Sequence, residues 1–298
     1  MSIFFSIVIP TYNRAHLIEK TINSVLKQTF KDFEILIIDD GSTDNTAELV
    51  RSKGLTDTRI NYFFKENEER GAARNFGFEK AIGKYVVFLD SDDTFKNIHL
   101  ETIYDVLSIN PSINFIATKY TLDGGGGFAI SGLRELSERF YDINIVLNGN
   151  PFACNFAVRR ENSNLVLFKE DRQFIIVEDW VFLIENLHRD KIYLVDKCTV
   201  VMSDHDQRSM RGNQNKIISA RLYALKWLLE NYSFSDFQIK ILCGNSYLFC
   251  AIHCYIDGNR RNGLRNLYLA IKYLGIEFRT ILLSLKLLFG QKIIKKLF

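Results

Sequence analysis

The chain has 298 residues, enough for one large domain, or a medium domain with a smaller appendage, around a full hydrophobic core. With 47% hydrophobic and 24% charged residues it has the balance of an ordinary folded protein, which excludes a disordered, collagen-like or acidic solvating chain. A net charge of +3 is too small for a general nucleic-acid binder, whose affinity rests on counterion release by many basic groups.

The opening residues carry no basic leader, and the apolar run Phe4 to Ile9, stopped at Pro10, reads as a strand and not as a signal peptide. After Asn13, read as an N-cap, Leu17, Ile18, Ile22, Val25 and Leu26 share one helical stripe. Phe33 to Ile38 is the next strand, and Ser42 or Thr43 caps a helix to about Ser52. Strand Ile60 to Phe64, helix Ala72 to Ile82, strand Tyr85 to Leu89, helix Leu100 to Leu107 and strand Ile113 to Ala117 continue the series. Strands apolar on both faces, alternating with helices, predict an α/β domain: a Rossmann-like, mostly parallel sheet with helices on both faces. Ligands then collect at the C-terminal strand ends.

Between Lys119 and Pro151 no pattern is readable, and Gly124 to Gly127 reads as a surface loop. Two further strands, Ile192 to Val195 and Thr199 to Met202, precede a wholly helical stretch: Ile217 to Leu229, Phe237 to Ile256, Leu264 to Leu274 and Phe278 to Phe298. The predicted division is therefore an α/β domain over 1–212 and a C-terminal α-helical region over 213–298. Residues 259–298 hold nine Lys or Arg against one acid, Glu277, a local charge of +8 that leaves −5 for the rest. The last helix sets Ile281, Leu282, Leu285, Leu288 and Phe289 beside Arg279, Lys286, Lys292, Lys295 and Lys296. Such a helix can lie in an anionic membrane surface or pack on protein. No uninterrupted apolar run reaches the roughly 18 residues of a membrane span. Five cysteines, with no CxxC pair, fit neither a disulfide framework nor a zinc site and point to a reducing cytoplasm. Cys243, Cys250 and Cys254 share a helix face and read as core.

Polar residues cluster at three strand ends: Pro10 to Arg14, Asp39 to Asp44 and Asp90 to Asp93. In an extended segment, side chains alternate, so Asp90 and Asp92 fall on one side. Two carboxylates so placed suit Mg²⁺ or Mn²⁺ at a diphosphate, where phosphate and water supply the remaining ligands. Neither glycine-rich phosphate loop, GxxxxGK[ST] or GxGxxG after a strand, is present.

VIPTYNR (Val8 to Arg14), IIDDGSTDNT (Ile37 to Thr46), RGAARNFG (Arg70 to Gly77), FLDSDD (Phe88 to Asp93) and VEDW (Val177 to Trp180) occur in this order. Together they resemble the motif set of the inverting family 2 glycosyltransferases, which have the GT-A fold. The resemblance implies a nucleotide pocket of Pro10, Thr11, Tyr12 and Arg14. Asp40 would accept a hydrogen bond from the base ring N–H, such as uracil offers, and Asp39 is implied as a second nucleotide-binding aspartate, although its side chain should point to the other side. It further implies Arg70 and Arg74 near an anion, Asp90 and Ser91 toward the ribose, Asp92 on Mn²⁺ or Mg²⁺, and His205 completing the metal shell. Arg208 or Ser209 would close on the diphosphate. Asp93 is not expected to ligate. Asp179, opening a helix, would be the general base; Val177 stands where many members have glycine.

The implied activity is metal-dependent, inverting transfer of one sugar from a nucleoside diphosphate sugar, a UDP-sugar foremost, to a saccharide or lipid-linked saccharide acceptor. Assembly of cell-surface polysaccharide by a cytoplasmic, peripherally attached enzyme is the expected setting, and a Gln-x-x-Arg-Trp element of processive synthases is absent. Two other readings stay open. A sugar-1-phosphate nucleotidylyltransferase shares the sheet but needs a basic glycine-rich loop near the N-terminus; a glycan-binding or scaffold protein could keep the fold without catalysis.

Overall fold

A computed structural model describes residues 3–124, 127–130, 133–203, 212–276 and 278–289. Through these residues the chain divides into two compact units, one of 3–143, 151–172 and 182–203, the other of 144–150, 173–181 and 212–289.

In the first unit β1 (Phe5–Thr11), α1 (Ala15–Leu26), β2 (Phe33–Asp40), α2 (Thr46–Gly54), β3 (Ile60–Lys65), α3 (Glu69–Lys80) and β4 (Tyr85–Phe88) alternate as the hydrophobic pattern predicts. There follow β5 (Thr94–Phe95), α4 (His99–Ile109), β6 (Phe115–Gly124), β7 (Gly127–Ile130), β8 (Arg139–Tyr141) and β9 (Phe156–Arg159). Helix α5 (Glu178–Leu187) and strand β10 (Ile192–Ser203) complete the α/β part of the chain. The sheet order is β3-β2-β1-β4-β9-β6-β10-β5, with β7 on β6 and β8 on β10.

The sheet is mixed. Strands β3, β2, β1 and β4 run parallel, β9 is antiparallel to both β4 and β6, and β10 is parallel to β6. The predicted strands at 192–195 and 199–202 are one strand, β10, whose pairing with β6 slips between Val195 and Cys198 and again before Val200. Such a bulge bends a strand without ending it. From β1 the chain moves outward through β2 and β3, then returns to place β4 on the other side of β1. That reversal makes a crevice at the C-terminal ends of β1 and β4, the place where open α/β sheets bind ligands.

Alternate strand residues explain the layers. Phe5, Ile7, Ile9, Phe33, Ile35 and Ile37 pack with Ile18, Ile22 and Val25 of α1, Val50 of α2 and Leu100, Ile103 and Leu107 of α4. On the opposite face Phe88 and Phe156 meet Phe168 and Phe182, with Phe168 and Phe182 stacked at 4.1 Å. Helix α3 lies on that face too, close enough that a side chain at Gly77 would strike Val8 and one at Gly71 would strike the Lys169 carbonyl.

The second unit contains α6 (Gln214–Asn231), α7 (Asp236–Ile256), α8 (Arg260–Leu274) and α9 (Phe278–Phe289). Ser235 and Gln238 form a reciprocal capping box that starts α7. Leu248 and Ala251 of α7 pack with Leu267 and Ala270 of α8 and Leu283 and Leu287 of α9. Among the described residues α7 alone is long and apolar enough to cross a membrane, and 56% of its apolar window is buried, as in a core helix. Cys243, Cys250 and Cys254 are buried on it without disulfides, and burial pushes the Cys250 thiol up to about 12.

Candidate active site

The loops after β1 and β2 are laced together. Asn13 lies at φ +52°, and its amide oxygen accepts from the Thr43 N–H at 2.8 Å and the Asp44 N–H at 3.3 Å. In return the Asn13 N–H donates to Ser42 Oγ, Arg14 N–H to Thr46 Oγ1 and Ala15 N–H to Asp44 Oδ2. The expected caps are thus corrected: Asn13 does not cap α1, and neither Ser42 nor Thr43 caps α2. Thr46 and Asp44 of the second loop satisfy the N–H groups at the start of α1, and Asp44 also accepts from the Thr46 N–H that opens its own helix. Of the predicted nucleotide residues on this segment, Pro10 and Thr11 are buried at the end of β1, Arg14 is half-buried, and Tyr12 is 48% exposed. The buried Thr11 hydroxyl has no hydrogen-bond partner among the described residues.

The adjacent acids at the end of β2 do point apart. Asp39 accepts from the Ser42 N–H at 2.8 Å and the Tyr62 hydroxyl at 2.7 Å; burial and then this carboxylate push the Tyr62 phenol upward. Asp40 accepts from Lys65 Nζ at 2.9 Å and from the backbone N–H groups of Glu68 and Glu69 at 3.0 and 2.8 Å. It therefore closes the N-terminal end of α3, where a carboxylate is favoured by the helix dipole. A carboxylate has about four acceptor positions, so three occupied ones leave room for one further donor. Burial alone would lower Lys65, but the carboxylates of Glu68 and Asp40 outweigh it and raise its pKa.

At the end of β4, Arg74 of α3 donates from Nη2 to Asp90 Oδ1 at 2.8 Å. Arg74 is buried, its guanidinium 5.3 Å from the Phe168 ring centroid, while Arg70 is half-buried. Thr21 of α1 donates its hydroxyl toward the carbonyls of Ser91 and Asp93, at 2.9 and 2.8 Å, which pins the turn from below. The Asp93 N–H closes that turn on the Asp90 carbonyl, and Asp93 Oδ1 accepts from the Ser203 N–H at 3.0 Å. Asp90, Asp92 and Asp93 each offer an oxygen within 4.8 Å of the others. Three carboxylates so close repel one another, and hard oxygen donors are what Mg²⁺ and Mn²⁺ select. The residues fit a divalent cation, and Asp93, expected to stand aside, belongs to the group.

In the second unit Asp179 sits in the first turn of α5. Its Oδ2 accepts from Asn150 Nδ2 at 2.8 Å and its Oδ1 from the Trp180 N–H at 2.7 Å. The indole N–H of Trp180 donates to the Val146 carbonyl at 2.8 Å, tying the helix start to segment 144–150. Val177 takes no unusual conformation; the left-handed residue is Ile176, at φ +82°. For a β-branched residue that is a strained geometry, of a kind concentrated at functional sites.

His205, Arg208 and Ser209 lie outside the described residues. Residues that sequence reasoning passed over include Lys65 on Asp40, Thr21 under the Asp90 turn, and Asn150 on Asp179. Asn150 had no local signal. Thr21 had one: a polar residue beside Ile18, Ile22 and Val25 on the buried stripe of α1.

Residues 6–162 match the family model described as glycosyl transferase family 2. An uncharacterized glycosyltransferase of Rickettsia felis is 35% identical over 226 residues, covering 73% of this chain and 33% of the relative. The chain thus spans about a third of that protein. The GalNAc(5)-diNAcBac-PP-undecaprenol beta-1,3-glucosyltransferase of Campylobacter jejuni is 41% identical over 100 residues, 33% of this chain and 32% of the relative. Among solved structures, S. aureus TarS 1-349 in complex with UDP-GlcNAc superposes with a TM-score of 0.71 at 20% identity, over 94% of this chain and 83% of that 1-349 chain. The mannosyltransferase PcManGT from Pyrobaculum calidifontis, in complex with GDP-Man and Mn²⁺, does so at 0.59 and 16%, over 98% and 83%. These likenesses establish the GT-A fold with its C-terminal helical region.

Proposed function

Because the chain belongs to glycosyl transferase family 2, we propose that it transfers one sugar, with inversion, from a nucleoside diphosphate sugar to a saccharide or lipid-linked saccharide. The observation that carries this reading is the gathering of Asp39, Asp40, Arg74 and the Asp90–Asp92–Asp93 group at the C-terminal ends of β2 and β4, beside the reversal in strand order. A UDP-sugar is the favoured donor. The fold that TarS uses with UDP-GlcNAc supports it, as does the acceptor position left on Asp40, which a uracil N–H could fill.

Pro10, Thr11, Tyr12 and Arg14 then line the base, and Ser91 with Asp90 faces the ribose. Asp92, with Asp90 and Asp93, would hold Mn²⁺ or Mg²⁺; when bound, the ion neutralises charge growing on the departing diphosphate. Arg74 keeps Asp90 in place and adds positive charge of its own. Asp179 takes the proton of the acceptor hydroxyl as that oxygen bonds to the anomeric carbon and the bond to the diphosphate breaks. Asn150 and the Trp180 N–H hold the carboxylate for that transfer. The setting we infer is the cytoplasmic face of a membrane in cell-surface polysaccharide assembly. On α9, Ile281, Leu285 and Leu288 are exposed and Lys286 is basic, which supports a peripheral contact with anionic lipid.

A thermal-shift screen of nucleotide sugars with and without Mn²⁺, followed by an assay of transfer, tests the reading. A UDP-sugar should raise Tm in the presence of Mn²⁺. Asp179→Asn should keep that shift while transfer falls roughly 10²- to 10⁴-fold. Near-wild-type transfer by Asp179→Asn would remove the base assignment, and binding without any turnover would favour a glycan-binding protein.

A further inference from the structure

Helix α6 turns Ile217, Ala220, Ala224 and Leu228 inward, and Arg221 lies on the same buried stripe with 3% of its surface exposed. A cation there is a costly choice where a neutral side chain could pack. Its Nε donates to Ser246 Oγ at 3.1 Å, and its guanidinium lies 3.3 Å from the ring centroid of Trp180 and 5.1 Å from that of Phe249. Aromatic faces attract a cation but carry no formal charge. Trp180 is the residue that follows Asp179 and gives it a backbone hydrogen bond.

We propose that Arg221 is a positioning residue for Asp179, a buried cation that keeps the carboxylate ionised and aimed by stacking on Trp180 in the same helical turn. This rests on the assignment of Asp179 as base. Burial pushes the guanidinium below its ordinary range, and the Cys250 thiol and the Asp179 carboxylate act against that. Of these two, Cys250 is itself held neutral by burial, so Asp179 is the anion. His253 on α7 also faces Arg221; burial and then the guanidinium lower it, so the imidazole stays neutral. Glu178, buried beside Asp179, is the other acid in the first turn of α5. The pairing is reciprocal: the cation stabilises ionised Asp179 as the carboxylate stabilises the cation.

The test is a double-mutant cycle in the full chain, with thermal unfolding of wild type, Asp179→Asn, Arg221→Met and the double variant at pH 7. Asp179→Asn should lower Tm when Arg221 is present and leave it unchanged in the Arg221→Met background. An equal loss in both backgrounds overturns the inference. Should Arg221→Met fail to fold, wild type and Asp179→Asn are compared from pH 7 to pH 3. A Tm gap that closes as the carboxylate protonates supports the charge pair, and a gap constant with pH overturns it. Transfer separates the two readings: coupling present with Asp179→Asn still active would end the base assignment and leave the pair standing.

Discussion

Asp90, Asp92 and Asp93 crowd three acids onto one strand tip, whereas Asp179 stands among N–H donors with a buried guanidinium stacked on its neighbour. In the first, three like charges repel one another, and Arg74 offsets part of that through its ion pair with Asp90. In the second, each carboxylate oxygen accepts a hydrogen bond. One region is thus shaped to gain from an arriving cation, and the other to hold a single charge in a fixed direction. Substitutions in the two places should therefore have different signatures.

The largest expected contrast comes from Asp92→Ala. It should cut metal-dependent release of nucleoside diphosphate by about 10²- to 10³-fold. It should also abolish the gain in Tm on adding Mn²⁺, which Asp179→Asn should keep. Unfolding curves with chelator and with Mn²⁺ check this, and an undiminished Mn²⁺ gain for Asp92→Ala would erase the distinction.

A smaller effect concerns what lies beneath the acidic tip. His99 stacks on Phe95 at 3.9 Å, donates from or accepts at Nδ1 with Thr199 Oγ1 at 2.7 Å, and is pushed by burial to a pKa of about 3. The unfolded chain takes up a proton near the ordinary value of 6.5 that the folded chain refuses. Stability from this group is therefore full above pH 6.5 and falls as pH drops toward 3, by at most about 1.4 kcal/mol per pH unit. His99→Gln should flatten the fall in Tm between pH 6.5 and pH 4; an unchanged slope would show that other groups set it.

The smallest effect sharpens the Asp179 side. Gly ordinarily costs stability relative to Ala, but at φ +82° the order should invert, with Ile176→Gly more stable than Ile176→Ala by about 1 kcal/mol. Chemical denaturation of the two variants measures it.

The parallel half of the sheet is legible in the sequence because its strands are apolar on both faces and its helices carry clear stripes. Strand β9 is not: Phe156–Arg159 is four residues long, and only its pairing with β4 and β6 makes it a strand. The helix starts mislead for a related reason. Asn13, Ser42 and Thr43 are good local caps, yet their hydrogen bonds run between loops some thirty residues apart. Within the site, the Asp90–Asp92 spacing is readable because it is local. Asn150 reaches Asp179 across 29 positions with no pattern to announce it. Arg221 did leave a trace, a lone arginine among Ile217, Ala220, Ala224 and Leu228.

Gly71 and Gly77 let α3 settle directly on its neighbours, where any β-carbon would collide with the Lys169 carbonyl or with Val8. The reach from Arg74 to Asp90 is consequently governed by two absent side chains and not by the arginine alone. Enlarging either glycine would lift the helix and carry the cation out of range, whatever residue occupied position 74. A library seeking new donor preferences should randomise the strand-tip loops and keep this seam constant.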